Sequence, residues 1–157
     1  MRVLLLIAFS LLNNALYCAV DAKEFYRVFA SGNLNDINAY IQNLESTEPT
    51  SQSNAYIGAL LMKKAGLERA PLEKLNTFKS GHKLLEAEIL KNPNDTEFRF
   101  LRLVIQESAP EILNYRSNLE EDKELVIKGY NRLDSAIKDY ILQYSKESKV
   151  LTTTDFQ

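Results

Sequence analysis

Tryptophan is absent, cysteine and histidine each occur once, and only five glycines and four prolines punctuate 157 residues. Each scarcity excludes something. The lone thiol, Cys18, cannot close a disulfide within the chain. The lone imidazole, His82, would need an all-carboxylate remainder to complete the three protein ligands of a catalytic zinc site. Gly58, Gly66, Gly81 and Gly129 form no phosphate loop, and Ser108, Ser117 and Ser135 lack the histidine-partner motif of an activated nucleophile. Net charge is only −2 and Lys63-Lys64 is the longest run of cations, so the basic stripe of a phosphate-backbone binder is missing. These absences predict a non-enzyme with no cofactor, no metal and no nucleic-acid partner.

Long apolar runs are scarce as well, and the one present has an address. Arg2, the apolar stretch Val3 to Leu12 and the Val20-Asp21-Ala22 site read as a secretory signal over residues 1–22, cut after Ala22. That run is well short of the roughly 20 residues a membrane-spanning helix needs, so no integral span is expected. Lipid attachment at Cys18 is disfavoured because the bulky Tyr17 precedes it. Cleavage would leave a cysteine-free chain in the periplasm or outside the cell, long enough for one core.

What is present is helical periodicity, with no alternating apolar and polar run. The fold class expected is all-α: antiparallel helical hairpins, either tetratricopeptide-like or a compact bundle, in one domain over 23–145. Helices are predicted over Lys23 to Ser31, ended by Gly32, and Asn35 to Glu45, followed by a polar linker over 46–54. Further helices are predicted over Ala55 to Ala65, stopped by Gly66, and from Pro71 to about Lys91. In the last of these, Leu72, Leu75, Phe78, His82, Leu85 and Ile89 follow three-four spacing, which predicts one buried stripe. Asn94 with Glu97, Ser108 with Glu111 and Asn118 with Glu121 have the spacing of capping boxes and mark three more helix starts. The final helix is expected to run from Leu119 to Tyr144, and residues 146–157 to form a frayed polar tail.

The stretch NTFKSGHKLLEAEILKNPNDTEFRFLRLV, Asn76 to Val104, resembles a tetratricopeptide boundary. Gly81, Leu85 and Pro93 stand where that family places a small residue, a large one and the repeat-closing proline, and Phe98, Leu101 and Ile105 match the next opening helix. Helix starts about 40 residues apart, and Pro110, depart from its repeat of about 34. The phrase FRFLRLVIQESAP is also similar to small exported proteins of flavobacteria and other Bacteroidetes; that similarity implies a helical, exported protein and transfers no functional residue.

Two constellations could carry chemistry. His82 has Glu86 one turn away, yet it falls in an apolar stripe, where a packed imidazole is the ordinary outcome. The helix Phe98 to Gln106 is apolar around most of its circumference, with Arg99, Arg102 and Gln106 as a narrow polar strip. This strip is the candidate interaction site: a planar guanidinium fork could hold an acidic group from a partner. The competing reading is an internal ion pair with Glu86, Glu88 or Glu107. Function is therefore expected to be that of an exported, non-catalytic helical module, interacting with a polypeptide of the cell envelope or serving as a structural part. The alternative is a small-ligand carrier whose anionic ligand is held by Arg99 and Arg102.

Overall fold

A computed structural model describes residues 20–157. The described residues contain seven α-helices and no strand, so the all-α class holds. Residues 1–19, with most of the expected signal and Cys18, lie outside them. α1 (Ala22–Ser31) opens on Asp21, whose Oδ1 accepts the backbone N–H groups of Lys23 (2.9 Å) and Glu24 (3.4 Å), and closes on Gly32 at φ 62°, the left-handed conformation glycine adopts without penalty. Asn33 caps α2 (Leu34–Glu45) in the same way.

The expected linker over 46–54 is shorter in the structure, because α3 (Ser51–Leu67) begins inside it. Thr50 and Ser53 form a reciprocal capping box with a serine in the place usually held by Glu or Gln, a substitution that hides the helix start from a sequence reading. Gly66 does not stop α3. α4 (Pro71–Lys91) starts at Pro71 as expected. α5 (Thr96–Ser108) is capped by Asp95, not Asn94: Asp95 Oδ1 accepts the Phe98 N–H at 2.9 Å.

The C-terminal third departs furthest from expectation. The helix start expected at Ser108 is only a 3-10 turn, Glu111–Leu113, leading to Asn114 at φ 46°. The single helix expected from Leu119 to Tyr144 is two, α6 (Leu119–Gly129) and α7 (Ser135–Tyr144), separated by a 3-10 turn at Tyr130–Arg132 and by extended backbone at Leu133 and Asp134. Instead of fraying, the tail is pinned. Leu151 is fully buried, Thr152 and Asp155 form a capping box, and Phe156 lies 4.5 Å from the Tyr130 ring.

α3 and α4 form an antiparallel hairpin joined by residues 68–70, and their backbones nearly touch. A Cβ built on Gly81 would meet the Gly58 carbonyl oxygen, and one on Gly58 would sit 2.8 Å from the Leu85 nitrogen. α5 runs through the middle, buried from Thr96 to Gln106, and packs chiefly on α6 rather than antiparallel on α4. That architecture lends no support to the tetratricopeptide resemblance. An aromatic layer, including Phe25 stacked on Tyr56 at 3.6 Å and Tyr26 on Tyr140 at 4.4 Å, ties α1 to α3 and α7. The α4 stripe is buried at Leu85 and Ile89 but emerges toward its start, where Leu72 is 70% exposed.

Candidate functional site

Arg99 and Arg102 project from consecutive turns of α5 toward Asp122, in the first turn of α6. Arg99 Nη1 donates to Asp122 Oδ1 at 3.0 Å; Arg102 grips the same carboxylate with two bonds, Nε to Oδ2 and Nη2 to Oδ1, both 2.7 Å. Arg102 Nη1 also donates to Glu86 Oε2 (2.9 Å), whose Oε1 accepts the Tyr115 hydroxyl, and Arg99 Nε donates to the Pro93 carbonyl (2.8 Å). Burial by itself would lower the Arg102 pKa, but the bonds to Asp122 and Glu86 outweigh it, so the guanidinium holds its proton more firmly than usual.

The geometry of Arg99 and Arg102 is that of the competing reading, an internal ion pair, while Gln106 shares their buried side of α5. Both arginines are buried and engaged internally, chiefly by Asp122, an acid in the first turn of α6 not singled out from the sequence. Gln106, fully buried, has a side-chain amide with no hydrogen-bond partner among the described residues. His82 is half-buried, its ring 4.9 Å from that of Tyr115 and edge-on to it. Glu86, its expected neighbour, is spent on Arg102 and Tyr115. Among the described residues, no cluster of three or more His, Cys, Asp or Glu is arranged to hold a metal.

A second buried acid was missed. Glu97 Oε1 accepts the hydroxyls of Tyr56 (2.6 Å, α3) and Tyr26 (3.1 Å, α1), with the Gln52 amide 3.5 Å from Oε2. Among the described residues no cation pairs with it. Burial raises its pKa against the lowering effect of the two hydroxyls, and nearby Asp95 adds to the rise. Burial, reinforced by Glu97, also pushes the Tyr26 and Tyr56 hydroxyls well above their ordinary value. Glu97 had been read as part of a cap; its partners lie 41 and 71 residues away, beyond the reach of local spacing.

An open cleft of about 380 Å³ lies between α1 and α7. The stacked rings of Tyr26 and Tyr140 belong to its wall, together with Ala30 and Ala136, and Lys23, Arg27, Ser135, Asp139 and Gln143 supply polar groups of both signs. Arg27 is partly committed to Glu24 at 2.7 Å. The cleft therefore joins an aromatic surface to exposed polar groups, with no nucleophile and base in contact. Comparison with family models, curated proteins and solved structures found no match.

Proposed function

We propose that the chain is an exported, non-catalytic binding module and that the α1–α7 cleft receives a polypeptide segment of an envelope partner. The observation that carries this reading is the cleft itself: an aromatic wall with mixed polar groups, of a size suited to a few side chains. The ionisable groups of the interior support it, since Asp122, Glu86 and Glu97 are all engaged in holding helices together. A carrier that grips an anion through Arg99 and Arg102 is the weaker reading, because both guanidiniums already carry carboxylates.

Export rests on the sequence of residues 1–22, and an amino terminus at Lys23 by mass spectrometry of the secreted chain is its direct test. For the cleft, Ala30→Arg places a long side chain from an exposed helical position across the opening. The variant should melt like the parent and lose the polypeptide that the parent captures from envelope extract. Undiminished capture would remove the cleft from consideration.

A further inference from the structure

The outward face of α4 has no role in the packing described above. At 3.6 residues per turn, steps of seven, eleven and eighteen residues from Leu72 return to within about 20° of it, so Lys79, Lys83 and Leu90 share one face. All four are exposed, Leu72 at 70% and Leu90 at 83%. Leu75, 39% exposed, flanks the first leucine. Neither lysine forms an ion pair among the described residues. Two of the helix's three carboxylates are occupied: Glu86 by Arg102 and Tyr115, and Glu88 by Lys91 and Asn54. The third, Glu73, lies about a quarter-turn from Leu72.

We infer that this face of α4 lies along an anionic lipid surface, with Leu72, Leu75 and Leu90 entering the interface and Lys79 and Lys83 set against the headgroups. Charge and its placement select the occupant. The cations sit in the centre of the face and the leucines at its ends, about 27 Å apart. A protein interface has the opposite pattern, with an apolar desolvated centre depleted of lysine and a polar rim. Lipid headgroups neutralise lysines without stripping their water, and long lysine stems reach outward while apolar neighbours insert. A second copy of this chain fits poorly. Antiparallel pairing of two such faces, leucine end to leucine end, brings Lys79 of one copy opposite Lys83 of the other. The inference goes beyond the polypeptide reading of the α1–α7 cleft and does not depend on it.

The purified protein should cosediment with vesicles of phosphatidylcholine mixed with phosphatidylglycerol, and stay in solution with phosphatidylcholine alone. Removing both charges as Lys79→Gln with Lys83→Gln should weaken partitioning about 25-fold, from about fivefold per cation, without lowering the melting temperature. Because the chain has no tryptophan, Leu90→Trp introduces a single reporter whose emission should shift to the blue on the anionic vesicles. Absence of cosedimentation overturns the inference, as does binding in which the introduced indole stays in water. Binding to polyglutamate without binding to vesicles also overturns it, in favour of an acidic polypeptide. An emission shift that follows protein concentration without lipid overturns it in favour of self-association. Ala30→Arg should leave vesicle binding intact, so failure at the cleft and failure at this face are separable.

Discussion

Asp122 is fully buried and accepts three guanidinium bonds, which makes it the side chain on which the α5–α6 contact turns. Asp122→Ala would leave two buried cations with only Glu86, Glu121 and a carbonyl between them, and it should cost about 3–5 kcal/mol. Arg99→Ala should cost less, about 1–3 kcal/mol, because the bidentate Arg102 remains on the carboxylate. Urea denaturation of the two variants checks the order; equal losses would contradict the division of roles. Glu97 responds to pH in the opposite sense from an ordinary ion-paired acid. Its folded pKa is raised, so its contribution to stability is complete below the unfolded value of about 4.3 and is lost as pH rises through the folded value. Glu97→Gln keeps an oxygen for the two tyrosines and carries no charge, so its melting temperature relative to the parent should climb between acidic and neutral pH. A difference that stays flat across that range would refute the account. The arginine strip was legible in the sequence because its spacing is local. Its partner was not, since Asp122 is 20 residues beyond Arg102 and looks like any acid in a first helical turn.

Elements were legible where a single residue type enforces their ends. Pro71 opens α4 and Gly32 closes α1 as their backbone chemistry requires, whereas Gly66 in α3 is tolerated because it is exposed and meets nothing. The Thr50–Ser53 box escaped notice because serine there replaces the longer acceptor, and the break in the last helix left no proline or other marker beyond Gly129. Gly81, noted in the sequence only as a small residue, is where α4 closely approaches Gly58 of α3. The Gly58 carbonyl oxygen and the Leu61 Cβ stand in the way beside the more yielding Met62 side chain, so side-chain rotation alone cannot absorb an added methyl. Gly81→Ala should incur a cost of about 1–3 kcal/mol through forced separation of the hairpin, which at its lower end cancels the helix-propensity gain of about 1 kcal/mol and otherwise leaves a net loss of up to about 2 kcal/mol. Thermal melts of Gly81→Ala and Gly66→Ala provide the contrast. The second substitution, in open space, should be neutral or stabilising, and a stabilised Gly81 variant would mean the helices are less tightly opposed than described.

At the scale of the whole molecule, the segment that is apolar nearly all round is the buried α5, and helix class followed from periodicity. The docking of the last residues did not. SKESKVLTTTDFQ is polar in composition, and its burial depends on a receptor far away in sequence: Glu107 of α5 accepts the hydroxyls of Tyr144 (2.6 Å) and Ser148 (2.7 Å) and the Lys149 N–H (2.5 Å). These bonds more than offset the effect of burial and hold the Glu107 carboxyl below its usual pKa. Ser148 Oγ in turn accepts the N–H groups of Val150 and Leu151, which turns the chain so that Leu151 enters the core with no exposed surface. One apolar side chain in a polar segment is thus an anchor that composition averages away. Leu151→Ala should cost about 2–5 kcal/mol, the range for a buried leucine whose cavity cannot fully collapse. A solvent-exposed Leu90→Ala, by contrast, should change stability by no more than about 0.5 kcal/mol. Denaturation of the two variants separates a docked terminus from a frayed one, because a frayed tail would make both substitutions equally silent.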